Sequence, residues 1–68
     1  MNVTVFLERK NTTQKIALDQ DATVQDLLQH MKINPVEVVI ARNGQVVTED
    51  AAVHDKDNIT IFSVISGG

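Results

Sequence analysis

The chain closes on Gly67-Gly68, directly after an alternating run, Ile59-Thr60-Ile61-Phe62-Ser63-Val64-Ile65-Ser66. A strand that runs into a bare diglycine presents the terminal carboxylate on a thin stalk. Glycine has no Cβ, so such a stalk adopts nearly any backbone angle and enters slots too narrow for other residues. Extended from Ser66, it reaches roughly 10 Å. That suits a carboxylate that is itself the reactive group, handled inside another protein's active site. The competing reading is an ordinary frayed terminus.

Other candidate chemistry is sparse. There is no Cys, hence no disulfide framework, no thiolate metal site and no internal thiol nucleophile. The only other glycine is Gly44, so no glycine-rich phosphate loop exists, and no Ser-His-Asp or Cys-His arrangement stands out. His54 and His30 lie far apart with no ligand cluster beside them. His54 reads as exposed, and His30 falls near the end of a helix, where a cation is mildly favoured. Asp55 and Asp57 are two nearby carboxylates, but a solvated turn before a strand explains them better than a metal or acid–base pair. The chain reads as a carried substrate and not as an enzyme.

Lys and Arg number 6 against 9 Asp and Glu, a net charge of −3. This mild, dispersed acidity argues against direct nucleic-acid binding, which needs a basic face. It is compatible with docking on a basic surface. No run approaches the roughly 18 apolar residues of a membrane span. The N-terminus, Met1-Asn2-Val3-Thr4-Val5, lacks the segments of a secretory signal, so cytoplasmic residence and a monomer are the expectation. The length of 68 residues allows one domain, and a chain so short buries only about 60% of its unfolded surface. Without disulfides its stability must come from aliphatic packing, which 43% hydrophobic content makes feasible.

The elements that position the tail follow from periodicity. Val3, Val5 and Leu7 alternate with polar or outward residues and predict a strand. Arg9 to Thr13 is polar and turn-prone, and Lys15–Asp19 alternates again, with Ile16 and Leu18 on one face; the two runs form an antiparallel hairpin. Thr23 is placed as a helix N-cap with Asp26 three residues on, where a capping-box acid sits. Val24, Leu27, Leu28 and Met31 then form one helical stripe. The helix must stop before Pro35, because a residue preceding proline avoids the α region. Glu37–Ala41 is a β-rich run. Asn43-Gly44 supplies the type I′ turn signal, and Val46-Val47 is a short return. Thr48–Asp57 is polar and irregular with Val53 as its apolar plug, and Asn58–Ile65 is the last strand.

The order is β-β-α-β-β-β. A single apolar helical stripe must cover a sheet, so the class is α+β, with a core of Val3, Val5, Ile16, Leu18, Val24, Leu27, Leu28, Met31, Val38, Ile40, Val47, Val53, Ile59 and Ile61. The first and last strands are expected side by side in the middle, parallel. A single domain over residues 1–66 would carry a flexible tail at 67–68.

This element order with a terminal diglycine resembles the ubiquitin-like β-grasp fold. The segment from His54 to Gly68 resembles the ending of the ThiS/MoaD sulfur carriers: an acidic turn, a strand carrying an aromatic, then Val-Ile, a small residue and Gly-Gly. Ala41-Arg42-Asn43-Gly44-Gln45-Val46-Val47 resembles that family's central hairpin. The family also includes modifier relatives such as the archaeal small modifier proteins. The resemblance implies that the Gly68 carboxylate is adenylated by a ubiquitin-activating-type enzyme using ATP and magnesium. A thiocarboxylate follows and feeds a downstream sulfur-accepting enzyme in thiamine thiazole, molybdopterin or tRNA thiolation. In a modifier, Gly68 passes instead to substrate lysines. Gly67 would let the tail thread a narrow channel.

For docking, Phe62 is one of two aromatics and shares a face with Thr60 and Val64, opposite Ile59 and Ile61. It should be partly exposed on the open face of the sheet, a suitable anchor for a partner. Val39 and Ala41 face the same way, away from Val38 and Ile40. Packing of Phe62 against Phe6 is the alternative. Arg42 either meets an acidic partner surface or is a solvated charge at a turn. Lys10, Lys15, Lys32 and Lys56 are acceptors for self-conjugation or ordinary surface lysines.

Overall fold

The computed structural model describes residues 1–64. Expectations placed on Ile65, Ser66, Gly67 and Gly68, including the boundary between domain and tail, fall outside the described residues.

Strands β1 (Asn2–Leu7), β2 (Thr12–Ala17), β3 (Val38–Arg42), β4 (Gln45–Val47) and β5 (Asn58–Ser63) form one sheet with helix α1 (Val24–His30) against it. The strand order is β2-β1-β5-β3-β4. β1 and β5 run parallel with Val5 opposite Ile59, and the other neighbours are antiparallel. This is the ubiquitin-like β-grasp architecture, with β1 and β5 side by side and parallel in the middle of the sheet as expected.

Local chemistry accounts for the helix at both ends. At the start, the Thr23 hydroxyl accepts from the Asp26 N–H at 3.3 Å while an Asp26 carboxylate oxygen accepts from the Thr23 N–H at 2.9 Å, a complete capping box. The next helical N–H groups are satisfied from outside: those of Val24 and Gln25 donate to the carbonyls of Ala51 and Glu49. The irregular 48–57 segment is therefore pinned to the helix start, and it drives Val53 into the core. At the other end the N–H of Lys32 donates to the Gln29 carbonyl and that of Ile33 to the Leu28 carbonyl. With Lys32 at φ 60, this is a Schellman ending. The helix thus stops well short of Pro35. Asn34-Pro35 opens a 3₁₀ turn, Pro35–Glu37, whose Val36 N–H is held by the Asn34 side chain.

Val3, Val5, Val24, Leu27, Leu28, Ile40, Val53, Ile59 and Ile61 form the buried cluster, with Ile16, Leu18, Met31, Val38 and Val47 packed at its margin. All fourteen residues assigned to the core by periodicity belong to it or touch it.

Several boundaries differ from the pattern-based reading: β3 covers Val38–Arg42 where Glu37–Ala41 is expected, and β5 closes at Ser63, before Val64, where a strand to Ile65 is expected. β2 covers Thr12–Ala17 and not Lys15–Asp19, and a 3₁₀ turn, Glu8–Lys10, precedes it. Thr12, Thr13 and Gln14 are exposed on an edge strand, so the backbone ladder to β1, from Leu7↔Thr12 onward, fixes them without an apolar signal. Asp57, assigned to a solvated turn, is buried at 6% exposure. Its surroundings define one end of β5.

Candidate functional site

The candidate site is the C-terminal end of β5, where the tail departs, and the sheet face around it. Ile59 and Ile61 point to the helix and are buried, while Phe62 and Val64 are 39% and 54% exposed. Phe62 pairs across the ladder with Val39, and Thr60 with Ala41. On the other side Thr60 lies opposite Phe6. Phe6 and Phe62 are thus diagonal and not direct partners, so the alternative of a cross-strand aromatic pair does not take the direct form. Val46, opposite Ala41, is 73% exposed and extends the same face to the edge strand. It was missed as a surface residue, although the two-residue Asn43-Gly44 loop, with φ of 51 and 87, dictates that Ala41 and Val46 pair.

Two of the docking residues need correction. Ala41 faces the open side of the sheet but is only 9% exposed. A methyl group between the β4 and β5 neighbours is overshadowed by them, so it forms floor and not anchor. Arg42 is neither free for an acidic partner nor simply solvated. Its Nε donates to Asp57 Oδ2 at 2.7 Å and its Nη2 to His54 Nδ1 at 2.8 Å. Val39 is half-buried beside Phe62.

Asp57 organises the opposite end of β5. Besides Arg42, its carboxylate accepts from Asn43 Nδ2 at 3.0 Å and from the His54 N–H at 2.8 Å. Burial pushes its carboxyl pKa up, but the hydrogen bonds from His54, Asn43 and Arg42 and the guanidinium charge outweigh this and hold it below the usual carboxylate value. Asn43 in turn accepts from the Asn58 N–H at 2.9 Å and donates its own N–H to the Asn58 carbonyl at 2.7 Å. This network locks the β3–β4 hairpin to the start of β5. His54 is exposed as expected, and His30 is the last helical residue, at the helix end where it is expected. Asp55 is exposed and accepts from the Asn2 N–H. No group of three metal-ligating side chains occurs among the described residues. No helix of the described residues is long and apolar enough to cross a membrane.

At the tail end, the Val64 N–H donates to the Glu37 carbonyl at 3.0 Å. The chain is therefore held by the sheet and the 3₁₀ turn up to the last described residue. The site offers an apolar, half-exposed face beside the end of β5.

The sequence model of the ThiS family matches residues 3–68. The chain belongs to the ThiS family. Small archaeal modifier protein 2 of Haloferax volcanii is 35% identical over 68 residues, the whole of both chains. The crystal structure of SAMP1 from Haloferax volcanii superposes with a TM-score of 0.78 at 21% identity, over 100% of both chains. That of the thiamine biosynthesis protein ThiS from Geobacter metallireducens gives 0.71 at 23%, again over 100% of both. At those identities the two structures speak for the fold alone. The ThiS family so defined holds ThiS/MoaD-like sulfur carriers and small ubiquitin-like modifiers, proteins that are carried or attached and that work with activating enzymes and downstream partners.

Proposed function

We propose that this ThiS-family chain is a sulfur carrier whose Gly68 carboxylate is the working group. A carboxylate is a poor electrophile. A ubiquitin-activating-type partner would supply ATP and magnesium. The Gly68 carboxylate attacks the α-phosphate, pyrophosphate leaves, and an acyl-adenylate forms. A sulfur nucleophile of the partner system then attacks the acyl carbon and expels AMP: sulfide gives the thiocarboxylate directly, while a protein persulfide gives an acyl disulfide that a second partner thiol cleaves to the thiocarboxylate, leaving a disulfide on the partner. A downstream sulfur-accepting enzyme of thiamine thiazole, molybdopterin or tRNA thiolation would receive the thiocarboxylate. The chain's own residues bind and orient. Gly67 and Gly68 fit a narrow channel, and Phe62, Val64 and Val39 dock the open sheet face on the partner. The observation that carries this reading is the diglycine itself, included in a family match that runs to residue 68.

One observation favours a second reading. The full-length relative at 35% identity is a small archaeal modifier protein. In that case the same adenylate at Gly68 passes to a substrate lysine as an isopeptide bond, with AMP released.

Intact-mass spectrometry of the chain from its own cells separates the two. A species about 16 Da heavier, sulfur in place of oxygen, marks the thiocarboxylate formed by displacement of the activated acyl group. Higher-mass conjugates linked through Gly68 mark the modifier. A chain that a purified activating enzyme never adenylates, or that is adenylated equally well without Gly67-Gly68, ends both readings.

A further inference from the structure

On the helix side of the tail's exit lies a groove of about 340 Å³. Its floor is apolar: Met31, Ile33 and Val38, each packed against the core. Its rim carries Arg9, Lys10 and Lys32, with Glu37 as the single carboxylate. Half of the chain's six cations thus meet at one place in a protein of net charge −3. All three are exposed, and none has an ion-pair partner among the described residues, whereas Arg42 is neutralised by Asp57. The backbone adds a second observation. Lys32 occupies the left-handed position of the Schellman ending, at φ 60. Glycine is the least strained choice there. A lysine at that position carries a conformational cost and sets its ammonium at the groove rim.

We infer that this groove binds an acidic segment of a partner protein, apolar side chains on the floor and carboxylates against Arg9, Lys10 and Lys32. A protein segment fits better than nucleic acid. The groove has no aromatic side chain on which bases could stack, its floor is aliphatic, and Glu37 repels a phosphate backbone. Ser63 lies on the groove and Phe62 on the opposite face of β5. The strand that leads to the tail is therefore flanked by an apolar handle on one side and a cationic one on the other. The inference uses no tail chemistry and stands apart from the proposed function.

The test is an NMR titration of the isotope-labelled full chain with a capped octapeptide of alternating Glu and Leu, at low and moderate salt. Shifts should centre on the amides of Lys10, Lys32, Ile33 and Val38, and affinity should fall at least threefold on raising the salt. Lys32→Gly suits the left-handed backbone, so its melting temperature should hold or rise. Combined with Lys10→Glu it should weaken the peptide at least tenfold. Lys15→Glu with Lys56→Glu, which removes the same number of cations away from the groove, should leave binding within twofold. Equal loss in both pairs would mean a diffuse charge effect and overturn the inference. So would an octathymidylate binding more tightly at the same amides, or inorganic phosphate reproducing the shifts at similar affinity. Deletion of Gly67-Gly68 should leave this titration unchanged, so its failure is read separately from any failure at the tail.

Discussion

The two ends of β5 are built on opposite principles. At its start, Asp57 is buried and accepts hydrogen bonds from Arg42, Asn43 and His54, and no buried side-chain polar atom among the described residues lacks a partner. At its finish, Phe62 and Val64 stand half-exposed, and Arg9, Lys10 and Lys32, without ion-pair partners among the described residues, surround an apolar floor. The first end fixes the register of the sheet; under the proposed function the second is the one that meets a partner.

The sharpest test of the contrast removes the tail. Deleting Gly67-Gly68 should abolish adenylation by an activating enzyme, measured by pyrophosphate exchange, while the melting temperature stays put. A large loss of stability would show that the tail belongs to the folded body. Next in size is the helix that serves both ends. Leu28 is fully buried, and Leu28→Ala should destabilise by about 2–5 kcal/mol in urea titration; a near-neutral result would contradict its place in the core. Asp57→Ala strips partners from Asn43, Arg42 and the His54 N–H, and should cost about 2 kcal/mol, discounted for the partial exposure of Arg42. An effect near zero would mean the network organises nothing.

The same carboxylate sets a pH signature. Its folded pKa is lowered, so it contributes stability above the unfolded value of about 3.9, and this is lost as pH falls below that value through the folded pKa. The stability gap between the parent and Asp57→Asn should therefore narrow only below about pH 4; a gap that narrows toward neutral pH instead would assign it to another group. Smallest on stability, Phe62→Ala should cost under about 1.5 kcal/mol, because that ring is only partly removed from water. It should nonetheless raise the KM of the activating enzyme for this chain at least fivefold. Unchanged docking with a marked loss of stability would make Phe62 a packing residue only.

Much of this body was legible locally. The Thr23–Asp26 box, the Val24, Leu27, Leu28 and Met31 stripe and the Asn43-Gly44 turn each depend on residues within eight positions of one another, and each stands where its pattern put it. β2 was displaced because its first residues, Thr12 to Gln14, are polar on an exposed edge, where only ladder hydrogen bonds mark a strand. Val46 could have been found from the loop length alone. Asp57 could not. The His54 N–H three residues away is a local partner, but a turn hydrogen bond of that kind also occurs in solvated turns; the side chains that complete the burial, Arg42 and Asn43, are 15 and 14 residues away.

The residue order by itself determined the strands, the helix and the packed face, because periodicity and capping are short-range properties. Tertiary structure alone decided that Arg42 is spent on Asp57, that Ala41 is covered, and that Arg9, Lys10 and Lys32 converge. Charge pairing and shielding depend on which distant segments the sheet register lays side by side, and no local pattern carries that distance.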